Sequence, residues 1–154
     1  MKQRRCTARA IIIRDGKLLV FERWRQNTSD KILHYFSIPG GGIEDSETPE
    51  QAVVRELMEE MGIIISVGEL LVRQMTDTRY HYYYKCSIIS GTPVFQTTSP
   101  EASNASSNNR YEAAWIDPSE FKSLPFFPAY QQAVEVIMTT YNSMSVQPTV
   151  DISF

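Results

Sequence analysis

The chain is poor in the residues that staple or anchor a protein. Only two of its 154 residues are cysteine, Cys6 and Cys86. Neither stands at a metal-ligand spacing, so both read as small apolar packing residues in a reducing compartment. No stretch approaches the run of about 18 apolar residues that spans a bilayer. The basic start MKQRRCTARA is not followed by an apolar core long enough for a signal peptide. Positive charge is not in excess either. A formal charge of −3 and a pI near 5.4 argue against a nucleic-acid-binding face, but they leave room for a small phosphorylated ligand met by a few local arginines. No internal repeat is present. The expectation is one cytoplasmic domain over residues 1–154, with no membrane and no nucleic-acid partner. At this length a chain buries about two-thirds of its unfolded surface.

What the chain does have is residues 41–63, GGIEDSETPEQAVVRELMEEMGI. A glycine turn, Pro39-Gly40-Gly41-Gly42, leads into a helix with a well-marked start. Thr48 caps it, Pro49 suits the first helical position, and Gln51 completes a Thr-x-x-Gln capping box. Gly62 is the natural stop. At about 100° per residue, Val53, Leu57, Met61, Val54 and Met58 share an arc that should be buried, while Glu56, Glu59 and Glu60 fall on another. Carboxylates spaced i, i+3 and i+4 repel, each pair weakening a helix by roughly 0.2–0.5 kcal/mol, and only Arg55 stands near them. A hard divalent cation with oxygen ligands offsets such repulsion. An acidic solvated surface is the alternative, and the glycine turn just before the helix counts against it.

This stretch resembles the Nudix box, G-x5-E-x7-R-E-U-x-E-E-x-G-U with U apolar. Gly41, Glu47, Arg55, Glu56, Leu57, Glu59, Glu60, Gly62 and Ile63 fill its fixed positions, and ETPEQAVVREL is similar to the MutT-type branch. The resemblance implies a Nudix fold: an α/β domain with a mixed β-sheet sandwiched between α-helices and a loop–helix catalytic motif. It implies Mg²⁺ (or Mn²⁺) held by Glu56, Glu59, Glu60 and the Gly40 carbonyl, with Glu47 paired to Arg55 to hold the loop against the helix. It also implies an acid that deprotonates the attacking water. That acid is either a box carboxylate, Glu59 foremost, or one beyond the box. Glu112 is placed by a strand, Glu101 lies in a loop, and Asp77 is third.

The rest of the chain reads as strands and a closing helix. Residues 7–14 and 17–24 flank Asp15-Gly16, a hairpin pattern. Arg9 and Arg23 on these strands read as solvated or ion-paired, with ligand binding as the alternative. His34 has no partner pattern and is taken as structural. Residues 33–38 lead to the glycine turn, and residues 63–75 form a strand with an irregularity at Gly68. Residues 78–90 form an aromatic strand that alternates Tyr80, Tyr82 and Tyr84 against His81, Tyr83 and Lys85. Its tyrosines either pack the sheet or stack a base, a contact worth roughly 1–3 kcal/mol. Residues 92–98 read as another strand, 99–109 as a mobile loop, 111–116 as a strand, and 117–120 as a turn or short helix. Residues 130–141 carry Ala133, Val134, Ile137 and Met138 at helical spacing. Residues 142–154 read as a flexible tail or as a strand lent to a partner subunit, which leaves a homodimer open.

The activity implied is hydrolysis of a P–O–P linkage in a nucleoside diphosphate derivative, a (d)NTP or modified nucleotide foremost. Arg23 or Arg79 would clamp a phosphate, with Tyr82 and Tyr130 as further substrate-binding residues. Dinucleoside polyphosphates and nucleotide sugars are alternative substrates, and Tyr80 lies where some dinucleoside-polyphosphate members carry a tyrosine. MutT-type oxidised-nucleotide enzymes read the purine with an asparagine in a segment like FPPAN. Here Phe127-Pro128-Ala129-Tyr130 stands in the comparable place, which weakens an 8-oxoguanine reading. A catalytically silent nucleotide sensor is the remaining alternative, although such members usually lose a box glutamate and none is lost here.

Overall fold

A computed structural model describes residues 4–26, 29–94, 109–141 and 148–154. In chain order the elements are β1 (Arg5–Ile11), β2 (Ile13–Arg14), β3 (Lys17–Gln26), β4 (Ile32–Ser37), β5 (Gly40–Gly42) and α1 (Pro49–Met61). They continue with β6 (Ile64–Met75), β7 (Arg79–Ser90), β8 (Asn109–Ile116), a 3-10 turn at Pro118–Glu120, α2 (Pro128–Tyr141) and β9 (Val150–Ser153). The strands form two sheets. One runs β5-β1-β7-β6-β9, with β1 parallel to β7 and β9 parallel to β6. In the other, β3 pairs antiparallel with β2 and β4 and also with β8.

The Asp15-Gly16 hairpin is present, with both residues at positive φ (52° and 76°) as a type I′ turn requires. The strand before it breaks at Ile12, whose carbonyl accepts from Leu19 N at 2.9 Å, and the chain there crosses from the first sheet to the second. The irregularity expected at Gly68 appears as register shifts between Val67 and Val72.

Period-2 alternation divides the interior into two cores. Ala8, Ala10 and Ile12, Leu19 and Phe21, and Tyr84 and Cys86 pack beneath Ala52, Val53, Leu57 and Met61 of α1. Ile11, Leu18, Val20, Val72 and Tyr83 face Ala133, Val134 and Ile137 of α2. The sheets therefore lie between two helices, as the family resemblance implied.

Three expectations need correction. The buried arc of α1 excludes Val54 and Met58, which are 37% and 44% exposed. It includes Glu60, and the Glu56 side chain is also mostly covered. The helix is rolled toward β5, so two acids are drawn into its contact face. Residues 92–94 do not form a strand, and the remainder of the expected strand over 92–98 lies outside the described residues. The last residues are not a frayed tail, because β9 hydrogen-bonds along β6 from Val72↔Val150 to Met75↔Ser153. Residues 142–147 and the loop carrying Glu101 lie outside the described residues.

Candidate active site

The start of α1 fixes the acidic cluster in space. Gln51 N donates to Thr48 Oγ1 at 3.1 Å, and Thr48 N to Gln51 Oε1 at 2.9 Å, which closes the capping box. Gly62, at φ 67°, ends the helix. Beside it, the first two of the three glycines of β5 are required for steric reasons. A Cβ on Gly40, at φ 141°, would lie 2.1 Å from Ala8 O, and one on Gly41 would lie 2.5 Å from the Glu56 carboxyl carbon. Only a bare backbone lets a glutamate carboxyl lie against this strand.

Arg55 is the hub. Its Nε donates to Glu47 Oε2 at 3.0 Å and its Nη2 to Glu47 Oε1 at 2.6 Å, a bidentate pair. Nη2 also reaches the Gly42 carbonyl at 3.0 Å, which ties the loop to the helix. Nη1 donates to Glu56 Oε1 at 3.0 Å and to Glu59 Oε2 at 3.2 Å. The hydrogen bond from Arg55 holds the Glu47 carboxyl below the usual carboxylate range. Burial pushes the Glu56 carboxyl up, against the pull of Arg55, and the Glu59 charge adds to the rise.

The donor set suits a hard divalent ion. Two carboxylates already converge on one positive nitrogen, and Glu60, 9% exposed, sits beside Glu56 with its Oε2 buried and making no hydrogen bond. All the donors are oxygens. In the geometry seen here Arg55 bridges the carboxylates, and no group of three such side chains among the described residues is arranged to hold a metal ion.

On the opposite face of the sheet lies a second polar assembly that sequence reasoning missed. Arg9, 9% exposed, is neither solvated nor ion-paired. It donates to the carbonyls of Ile38 (3.0 Å) and Gly40 (3.2 Å), and its guanidinium lies 5.1 Å from the Tyr130 ring. Thr7 Oγ1 and His81 Nδ1 are 2.6 Å apart. Burial, with Arg9 and Arg79 adding to it, pushes the His81 imidazole down to about 3. Tyr83 Oη donates to Gln74 Oε1 at 2.8 Å, and Gln74 Nε2 donates to Ala129 O and to Gln132 Oε1, both at 2.7 Å. Beside this network opens a cavity of about 380 Å³, lined by Arg79, His81, Phe127, Tyr130 and Phe154 among others. Arg9 thus links this pocket's Tyr130 wall to the Gly40 carbonyl.

The expected site residues are thus partly gathered. Glu47, Arg55, Glu56, Glu59, Glu60 and Gly40 come together around α1 and β5, and Arg79 and Tyr130 share the α2-side pocket. Tyr82 packs against the α1-side core. Arg23 is buried on the other sheet, where it donates to the carbonyls of Trp24 and Arg110 and lies 3.9 Å from the Tyr111 ring, so it offers no open phosphate clamp. Glu112 stands across from Glu22 on that sheet, 3.9 Å from Arg110. Asp77 is exposed in the β6–β7 turn. His34 is held by Glu22 at 3.0 Å and stacks on Trp24, a structural role as expected. For the missed residues one signal existed: Arg9 is a lone cation inside the apolar run of β1.

Comparison with known proteins extends this local picture to the whole chain. Residues 4–137 match the model of the NUDIX domain. The CTP pyrophosphohydrolase of Escherichia coli K12 is 30% identical over 132 residues, spanning 84% of this chain and 87% of the relative. The ADP-ribose pyrophosphatase of Methanocaldococcus jannaschii is 43% identical over 61 residues, 40% of this chain and 34% of the relative. The solution structure of the E. coli ORF135 protein superposes with a TM-score of 0.67 at 26% identity, covering 94% of this chain and 96% of that one. With the box, the fold and the domain match in agreement, the chain belongs to the Nudix family of hydrolases, enzymes that act on phosphoric anhydrides.

Proposed function

We propose that this protein is a divalent-metal-dependent pyrophosphohydrolase that cleaves the P–O–P linkage of a nucleoside triphosphate or a modified nucleotide. Nudix hydrolases generally use divalent metal ions. The observation that carries the reading is the convergence of Glu56 and Glu59 on a single cationic nitrogen, against a glycine strand that makes room for a carboxyl.

Mg²⁺ or Mn²⁺ would be held by Glu56, Glu59 and Glu60 with the Gly40 carbonyl. When bound, such an ion neutralises charge on phosphoryl oxygens and makes its water a better nucleophile. The chain's own residues do the rest. Glu47 keeps Arg55 on the loop side, which fixes the loop against the helix and orients the neighbouring carboxylates. Gly40 and Gly41 let backbone approach the site. Glu59, exposed at the helix surface, and Glu112 are the acids offered as base for the attacking water. The α2-side pocket receives the base, with the rings of Tyr130 and Phe127 at its wall and Arg79 as the cation nearest its phosphates. A reducing cytoplasm suits the two unbridged thiols.

A panel of nucleoside triphosphates, oxidised nucleotides, dinucleoside polyphosphates and nucleotide sugars, assayed with and without Mg²⁺, tests the reading. Metal-dependent release of pyrophosphate or phosphate from a triphosphate is expected. Nucleotide binding without hydrolysis of any member would overturn it in favour of a silent sensor. Replacing Tyr130 by alanine should raise KM about tenfold with little change in kcat, as loss of one stacked ring does.

A further inference from the structure

The pocket on the α2 side has a wall supplied by Phe154, the residue that follows the last strand. β9 is the edge of the five-stranded sheet, and side chains as well as backbone hold it there. Arg73 Nε and Nη2 donate to the two carboxylate oxygens of Asp151 at 2.6 and 3.0 Å. Thr149 Oγ1 donates to Leu70 O at 2.9 Å, and Gln132 Nε2 of α2 to Ser153 O at 3.0 Å. The run ends with Phe154 N bonded to Met75 O at 2.8 Å. These bonds deliver the Phe154 ring to the pocket that Phe127 and Tyr130 also line.

Phe154 and Phe127 remain 57% and 48% exposed there, while the aromatic side chains of the two cores are buried. Exposed rings beside a cavity leave apolar area for a ligand to cover. No acidic side chain lines this cavity, whereas Arg79 does, and burial holds His81 neutral. Such a lining disfavours a cation and suits a flat ring bearing hydrogen-bond acceptors. Its volume falls within the roughly 300–1,000 Å³ of small-molecule sites.

We propose that β9 is part of the substrate site: it carries Phe154 to the pocket, where the ring stacks on the base of the bound nucleotide together with Phe127 and Tyr130. This rests on the nucleotide reading above and adds a specificity-determining residue outside the box. Stacking takes hold of the base and not of the phosphates, so loss of Phe154 should fall on affinity alone.

The test uses Phe154→Ala, Phe154→Tyr and Asp151→Ala, with a nucleoside monophosphate titrated calorimetrically and inorganic tripolyphosphate as a competitor without a base. Phe154→Ala should weaken nucleoside monophosphate binding and raise the KM of the best triphosphate about tenfold. It should leave kcat and inhibition by tripolyphosphate unchanged. Phe154→Tyr should restore affinity, and Asp151→Ala, which unlatches β9, should give a smaller loss of the same kind. Two results overturn the proposal while leaving the hydrolase reading intact: undiminished monophosphate affinity in Phe154→Ala, or a loss that falls equally on tripolyphosphate. A wild-type protein that neither binds nor hydrolyses any nucleotide removes both.

Discussion

The two faces of the five-stranded sheet carry two polar assemblies, and they are built on different principles. On the α1 side the clustered charged groups come from residues 40–60, and a glycine strand, a capped helix and one arginine place the carboxylates. On the α2 side the groups come from β1, β6, β7, the start of α2 and the residue after β9, and a buried polar network joins them. The first concentrates charge and is suited to chemistry. The second has rings, a neutral imidazole, amides and two arginines without a carboxylate among the pocket's lining side chains, and is suited to recognition. Substitutions on the two faces should therefore fail in different ways.

The largest effect is expected on the α1 side. Glu60→Gln removes a carboxyl from the buried pair with Glu56 and should lower turnover at least about 100-fold, as loss of a key electrostatic group does. Thermal stability should hold, because the amide keeps the shape of the carboxyl it replaces beside Glu56. Nucleotide affinity, set on the other face, should move little. The contrast between the faces breaks if kcat with Mg²⁺ stays within a few-fold of wild type, or if the change appears mainly in KM.

The converse substitution is Gln74→Leu. It removes the acceptor of the buried Tyr83 hydroxyl and the donor to Ala129 O and Gln132. An unsatisfied buried hydroxyl costs about 1–3 kcal/mol, so denaturant unfolding should show a loss of that size. Turnover at saturating substrate should persist. A variant as stable as wild type would mean that the network is not what holds α2 to the sheet.

The difference between the faces also explains what could be read from the chain. The capping box and the Gly62 stop were legible because helix geometry relates neighbours at fixed spacing, and the Glu47–Arg55 pair only through the resemblance to the Nudix box. The roll of α1 was not, since its direction depends on β5: Gly41 admits Glu56, and that draws the acidic edge inward while Val54 and Met58 turn outward. The alternation of Tyr82 and Tyr84 against His81 and Tyr83 was visible from period 2, but not which face would meet α2. Arg9 and Gln74 looked like ordinary polar strand residues, because their hydrogen-bond partners lie up to 58 residues away in sequence. The β9 pairing escaped notice for the same reason. Four residues with a modest apolar pattern carry little local preference, and the Arg73–Asp151 pair that latches them spans 78 residues.

The last expected effect separates the faces by pH. In an unfolded chain His81 titrates near 6.5. In the fold, burial first, then Arg9 and Arg79, pushes it down to about 3. Above pH 6.5 the imidazole is neutral in both states and contributes no pH dependence. Below that, the unfolded chain takes up a proton that the folded protein refuses, so stability falls with falling pH, by up to about 1.4 kcal/mol per unit, until the folded group titrates. The α1 side behaves otherwise in this window. Glu47 is held below the usual carboxylate range, so its contribution is lost only as pH drops through that range, below pH 5. Moving from pH 7 to pH 5 should therefore cost wild type about 2 kcal/mol more than His81→Asn, which carries no titratable ring. Denaturant unfolding of both proteins at the two pH values measures it, and the variant comparison cancels every carboxylate common to both. Equal losses in the two proteins would show that His81 accepts its proton in the fold, and the α2 face would then be far less dry than its burial indicates.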